Sequence, residues 1–127
     1  MSVSTARGKA GEDAVCGYLE EQGCKILARN YRKKGGEIDI IAQDGDTAVF
    51  VEVKTRKYGA MENGACAMTK AKMSRIIAAS EEYMYEHSEL DLYCRFDTAY
   101  VTVTSEKYPQ ILDIEYYKAD FSAASLE

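Results

Sequence analysis

The stretches Gly36-Glu37-Ile38-Asp39 and Val51-Glu52-Val53-Lys54 set charged side chains inside runs of β-forming residues. In the second run, residues 48–54, apolar residues occupy both strand faces until Glu52 and Lys54 interrupt one of them, because alternate residues share a face. Such a strand is expected to be covered on both sides. Burying an unpaired carboxylate or ammonium is costly, so these side chains need partners.

The link between the two runs predicts that their carboxylates meet. Residues 43–46, Gln-Asp-Gly-Asp, carry an Asp-Gly turn signal, which folds the strands antiparallel and brings Asp39 near Glu52. Glu37 can share a strand face with Asp39. Close carboxylates repel unless a hard divalent cation such as Mg²⁺ or Mn²⁺ takes their oxygens as ligands. Lys54 is then placed to hold an attacking water or to stabilise charge on a phosphate.

An ordinary structural interpretation of the same residues stays open. Glu52 and Lys54 also fit a cross-strand ion pair on a solvent-facing edge, and Glu37 and Asp39 also fit a turn after Gly35-Gly36. Either spacing alone is common by chance. Their combination across one hairpin, inside strongly apolar strands, favours the metal site.

A helix in the N-terminal segment supplies one more carboxylate. Residues from about 5 to 22 have helical periodicity, with Val15 and Leu19 on the apolar face. Glu12 falls on that same face, so it points toward whatever the apolar residues pack against. It is either a further carboxylate of the metal site, directly or through water, or a first-turn acid that stabilises the helix dipole.

The motifs follow an order that covers most of the chain, from about residue 7 to residue 103. They are Gly8-x-x-Gly11-Glu12, Arg29-Asn30-Tyr31-Arg32, Gly36-Glu37-Ile38-Asp39-Ile40-Ile41-Ala42, Phe50-Val51-Glu52-Val53-Lys54-Thr55-Arg56, Lys72 and Arg95-Phe96-Asp97. This order resembles the YraN-type UPF0102 family, which is similar to Holliday junction resolvases of the PD-(D/E)XK nuclease superfamily.

The resemblance implies a role for four residues. Asp39 and Glu52 correspond to the metal ligands, Lys54 to the catalytic lysine, and Glu12 to the glutamate of the first helix. Ile38 stands before Asp39 where the wider superfamily has proline, which is usual for the closer family and removes no ligand. Glu37 is expected to assist the metal.

The implied fold is α/β and restriction-endonuclease-like, with an αβββαβ core whose mixed central sheet is flanked by helices. Local sequence patterns predict secondary-structure elements in an order that contains this core. Strands are expected at residues 25–31, in the two arms of the hairpin, and at 95–104 and 111–117, and a second helix at about 64–87. The expected order is therefore αβββαββ.

Length and composition predict a single domain, residues 1–127. A chain with 46% hydrophobic residues can close one core, and no window is apolar enough to span a membrane. The four cysteines are Cys16, Cys24, Cys66 and Cys94. Their scattered spacing indicates neither a zinc knuckle nor a redox motif, and reduced thiols fit a cytoplasmic protein. The chain has one histidine, His87, and no Walker-type loop. These two features argue against a histidine-based hydrolase and against an ATPase.

The charge distribution bears on the partner. A net charge of −5 argues at first against nucleic acid, because affinity for phosphates comes largely from Lys and Arg. Residues 25–75, however, carry 11 basic against 6 acidic side chains, and the remainder carries 5 against 15. We expect a phosphate-facing patch, with a solvated charged surface as the ordinary alternative. The residues assigned to the patch are Arg32, Lys33, Lys34, Arg56 and Lys72.

The sequence thus predicts a cytoplasmic, Mg²⁺- or Mn²⁺-dependent nuclease that hydrolyses phosphodiester bonds of DNA, with branched or recombination intermediates as candidate substrates. The alternative is a catalytically silent module that binds nucleic acid or a protein on the same fold. Cutting a symmetric junction would favour a homodimer. Tyr83, Tyr85 and Tyr93 fit a dimer face and the core equally, and Asp97 fits a buried structural pair.

Overall fold

The computed structural model describes residues 3–60 and 68–127, with side chains from residue 6 onward. The helices are α1 (Val3–Glu21) and α2 (Lys70–Glu86), and the strands are β1 (Lys25–Lys33), β2 (Gly36–Asp44), β3 (Thr47–Lys57), β4 (Tyr93–Val103) and β5 (Ile111–Phe121). Short 3₁₀ helices cover Ser88–Leu90 and Ala123–Leu126. The predicted αβββαββ order is confirmed.

The five strands form one mixed sheet in the order β1-β2-β3-β4-β5. Neighbouring strands are antiparallel except for β3 and β4, which run parallel because α2 lies between them in the chain. The predicted mixed sheet with helices packed against it is thereby confirmed. The central strand is β3, the strand that carries Glu52 and Lys54.

The hairpin between β2 and β3 has the predicted antiparallel arrangement. Gly45 has a φ of +61°, the left-handed conformation that glycine adopts at low cost and that tight hairpin turns require. The pairing runs from Asp44↔Thr47 to Ile40↔Val51. This register carries Asp39 and Glu52 toward each other just beyond the last pair.

The core has two parts, one on each face of the sheet. Val15 of α1 belongs to a cluster with Val51 and Val53 of β3, and Ile76 of α2 to a cluster with Phe50. The central strand is therefore covered on both faces, as predicted. The alternative that Glu52 and Lys54 lie on a solvent-facing sheet edge is wrong, because both side chains are largely buried although the pairing with β2 ends at Val51.

Helix α1 approaches β3 most closely at Gly11. A Cβ atom at this position would lie 1.9 Å from Oγ1 of Thr55, so any larger residue would force the helix away from the strand. Glu12 is the next residue along the helix. The absence of a side chain at Gly11 thus lets the helix bring Glu12 close to the sheet.

Asp97 is the centre of a buried polar cluster that joins the last two strands. Its fully buried carboxylate accepts hydrogen bonds from Arg95 Nε at 3.0 Å, from the Tyr116 hydroxyl at 2.6 Å and from the Ala119 N–H at 2.8 Å. Arg95 also contacts Asp44 at 3.1 Å, which ties β4 to the end of β2. The predicted buried pair of Asp97 is confirmed.

Several local predictions need adjustment. Helix α2 begins at Lys70, where the Thr69 side-chain oxygen accepts the Lys72 N–H at 3.2 Å; the predicted helical residues 64–67 and Cys66 lie outside the described residues. Tyr83 is buried beside Phe50, which places it in the core, whereas Tyr85 and Tyr93 are exposed. No described helix is both long and apolar enough to cross a membrane.

Candidate metal centre

Asp39 lies where β2 and β3 separate. The ladder between these strands ends at Ile40↔Val51, and the N–H of Val53 donates to the Asp39 carboxylate at 2.7 Å. The carboxylate therefore satisfies a backbone donor that an uninterrupted ladder would have paired. The separation also places an acidic side chain between two strands.

Glu52 is the nearest acidic neighbour of Asp39. Burial first, and then the negative charge of Glu52, raise the pKa of Asp39 to about 7, although the Val53 N–H opposes the shift. Two carboxylates this close cannot both ionise at low cost. Without a cation the pair retains a proton up to near neutral pH, and a divalent cation would remove that need.

Lys54 lies next to this pair on the central strand. Its Nζ is 3.8 Å from Oε1 of Glu52, and both side chains are only 17% exposed. The lysine is two residues from Glu52, so both project from one face of β3. The ammonium group is held beside the carboxylates and away from bulk water.

Glu12 faces the same site from α1. Burial first, and then the charge of Asp39, raise the pKa of Glu12, while Asn30 and Arg29 lower it. The Arg29 guanidinium lies 3.8 Å from Glu12 and 2.7 Å from Asp13, so it partly neutralises the helix carboxylates. The structure thus brings Glu12 near enough to Asp39 for their charges to interact, and it pairs Arg29 with the helix carboxylates, a pairing that local patterns did not indicate.

The donor set suits a hard divalent cation. Asp39 and Glu52 offer carboxylate oxygens, and Mg²⁺ is commonly held by one or two carboxylates with the rest of its shell from water and substrate phosphate. Thr98, directly opposite Glu52 in the parallel β3–β4 ladder, has a buried hydroxyl that finds no hydrogen-bond partner among the described residues. Among the residues that the structure describes, no three Asp, Glu, His or Cys side chains converge as a complete cage. Asp39 and Glu52 therefore supply oxygen ligands of the kind that such a cation binds.

Glu37 is placed differently from the other three carboxylates. Its side chain is 60% exposed and pairs with Arg32 at 3.2 Å. Its charge still contributes to the raised pKa of Asp39, though less than Glu52 does. Glu37 therefore acts on the site from its rim.

A basic groove opens at the β1–β2 turn. It has a volume of about 270 Å³ and is lined by Arg32, Lys33, Lys34, Gly35, Gly36, Glu37 and Arg75. Lys33 also pairs with Glu86 of α2 at 2.8 Å. Three of the five residues predicted to contact nucleic acid thus converge here. Arg56 lies in a separate groove after β3, and Lys72 belongs to the first turn of α2.

Sequence reasoning did not single out Asn30 or Thr98 as site residues. Asn30 has a positive φ of +50° within β1, and it stands in a motif already noted for its arginines. That unusual backbone conformation is not readable from local composition. Thr98 is recognisable only from the register between β3 and β4, which depends on how α2 docks.

Comparison with known proteins identifies relatives over most of the chain. The model of UPF0102, described as an uncharacterised protein family, matches residues 11–101. A UPF0102 protein of Oleidesulfovibrio alaskensis is 45% identical over 105 residues, which cover 83% of this chain and 52% of that protein. This chain therefore spans about half of that relative.

Two further relatives match over more than four fifths of both chains. A UPF0102 protein of Geobacter sulfurreducens is 40% identical over 82% of this chain and 81% of its own length. A UPF0102 protein of a Synechococcus species is 39% identical over 94% of this chain and 90% of its own. All three similarities extend across the hairpin that carries the candidate metal centre.

Proposed function

Because this chain belongs to the UPF0102 family, whose activity its description leaves open, we propose from its own residues that it is a divalent-metal-dependent nuclease that hydrolyses DNA phosphodiester bonds. The carrying observation is the contact between the carboxylates of Asp39 and Glu52, with Lys54 3.8 Å from Glu52. Such a triad, with Glu52 and Lys54 on the central strand and Asp39 on the neighbouring strand β2, fits the PD-(D/E)XK arrangement. The superfamily assignment is part of the proposal.

Each residue has a distinct proposed role. Asp39 and Glu52 hold Mg²⁺ or Mn²⁺, which when bound polarises the scissile phosphate. Lys54 donates hydrogen bonds that orient the attacking water or stabilise the negative charge developing on the phosphate. Glu12 accepts a hydrogen bond from water on the α1 side of the site, where Asp39 and Arg29 set its charge.

The basic groove supports DNA as the substrate. Its cationic residues lie next to Glu37, whose charge reaches Asp39, so a backbone bound in the groove passes close to the metal centre. Lys and Arg supply the sequence-independent part of DNA affinity. The proposed nuclease acts in the cytoplasm, as a monomer or as a homodimer.

A catalytically silent module is the second candidate. The observation that favours it is that the described residues do not form a three-ligand metal cage. Such a module would bind DNA in a salt-sensitive way and with no dependence on metal.

The test is cleavage of linear, flapped and branched DNA, and of RNA, by the purified chain with Mg²⁺ or Mn²⁺. Glu52→Gln and Lys54→Met should each abolish cleavage, because one loses a ligand charge and the other the ammonium group. Glu81→Gln, an exposed change on α2, is the matched control and should cleave normally. Activity that survives in both site variants, while their folds are intact, would refute the assignment.

A further inference from the structure

The groove that follows β3 has features that the metal centre does not use. Its volume is about 690 Å³, and it is lined by Arg56, Lys57, Tyr58, Gly59, Ala60, Thr102, Leu112 and Asp113. From this structure we infer that the groove, here called the strand-end groove, binds an unpaired nucleotide next to the scissile phosphate. This inference rests on the proposed nuclease function and narrows its substrate to DNA with a single-stranded segment at the cut.

The first support is alignment with the catalytic lysine. Lys54 and Arg56 are two residues apart on β3, and Tyr58 follows in the turn after the strand, where its N–H donates to the Val103 carbonyl at 2.7 Å. Alternate residues on a strand share a face and are about 6.6 Å apart, at about 3.3 Å per residue. A nucleic-acid strand whose phosphate lies at Lys54 would therefore meet Arg56 and then Tyr58.

The second support is the aromatic surface. Tyr58 is 74% exposed although its N–H is bonded to Val103, and Leu112 across the groove is 52% exposed. Leu112 lies at the irregularity in β5, where the register shifts between Thr102 and Val103, so the strand pushes this side chain outward. A tyrosine ring and a leucine facing one groove form a slot for a flat, largely apolar ring.

The third support is charge. Arg56 is held in the groove by Thr102 Oγ1 at 3.3 Å and by Glu115 at 3.6 Å, and exposed Lys57 adds a second cation beside it. Cations next to an exposed ring are the combination that single-strand-binding grooves use. Asp113 on the far wall limits the positive potential, so stacking rather than charge should supply the selectivity.

The unpaired state of the nucleotide follows from geometry. Inside a duplex both faces of a base are covered by its neighbours, so away from the duplex ends only an unpaired base can offer a face to Tyr58. A fully paired duplex would use the basic groove and leave the strand-end groove empty. A flap or a single strand would use both.

The experiment measures binding without divalent metal, so cleavage does not enter the result. Fluorescence anisotropy would compare a fully paired duplex with the same duplex carrying a single-stranded flap, in EDTA at fixed low salt. Tyr58→Ala should weaken binding of the flapped DNA about tenfold, from the loss of one stacked base, and change duplex binding less than about twofold. Tyr58→Trp should restore flap binding.

Tyr85→Ala is the matched control, because Tyr85 is 84% exposed but lies on α2. It should leave both affinities unchanged. Equal effects of Tyr58→Ala on both DNAs, no effect on either, or no preference of the wild-type chain for the flap would each overturn the inference. The nuclease proposal fails by a different result, in the cleavage assay. It is wrong if the wild-type chain binds DNA but does not cleave it with Mg²⁺ or Mn²⁺.

Discussion

Asp39 has opposing effects on function and stability. A buried carboxylate beside Glu52 is costly when ionised, and the raised pKa expresses that cost. The same proximity creates the oxygen pair that a divalent cation would bind. We therefore expect the metal-free protein to be destabilised by the residue on which the proposed chemistry depends.

Asp39→Asn should stabilise the metal-free chain once the pH rises above about 4, where the aspartate of the unfolded chain ionises. Because the folded pKa is raised above the unfolded value, the favourable protonated state is fully present below about pH 4 and is lost as pH rises through about 7. Asparagine keeps an oxygen to accept the Val53 N–H and cannot ionise. The variant should gain about 1 to 3 kcal/mol relative to wild type between pH 5 and pH 8.

Urea unfolding in EDTA at several pH values would measure this difference. Glu37→Gln serves as the control, because its exposed carboxylate contributes less to the shift of Asp39. A stability difference between Asp39→Asn and wild type that does not change with pH would contradict the argument.

Whether a site residue can be predicted from the sequence depends on how far apart its contacting partners lie along the chain. The hairpin was predictable because Gly45 and the short link fix the register, and the register brings Asp39 to Glu52. The pairing of Arg29 with Glu12 joins a strand to a separate helix, so no local pattern indicates it. Thr98 was missed for the same reason, since its place opposite Glu52 arises from the docking of β4.

Among the contacts that α1 makes with β3, the contact at Gly11 leaves no room for a side chain. Gly11 meets Thr55, and Glu12 follows immediately, so the distance between helix and strand also sets the distance from Glu12 to Asp39. Gly17 lies in the same helix, and outside its chain neighbours and the helix backbone no atom of the described residues comes within 4 Å of its hypothetical Cβ. Both glycines lie inside α1, and they differ mainly in how closely other residues pack against them.

Gly11→Ala should destabilise the chain by about 1 to 3 kcal/mol, because the new methyl group overpacks the contact with Thr55. Gly17→Ala should instead stabilise it by up to about 1 kcal/mol, since alanine is the better helix former and nothing obstructs it. Thermal unfolding of both variants measures the difference. Adding Thr55→Ala should recover much of the loss in Gly11→Ala, and two losses that simply add would contradict a steric cause.

The protein as a whole carries charge of the wrong sign for its proposed partner. Its net charge of −5 repels DNA at long range, while the basic groove concentrates Arg32, Lys33, Lys34 and Arg75 on one part of the surface. The Glu37 and Glu86 contacts offset two of these cations. Binding should therefore depend on few phosphate contacts and respond sharply to the loss of one.

Lys34→Gln and Arg75→Gln should each weaken duplex DNA binding and reduce the slope of log K against log salt concentration by about 1, because each removes about one phosphate contact. Lys118→Gln, an exposed change on β5, should leave the slope unchanged. Anisotropy titrations over a range of salt concentrations give the slope directly. A slope that falls in Lys118→Gln but not in the groove variants would place the duplex on another face, and the route from the basic groove to Asp39 and Glu52 would then be wrong.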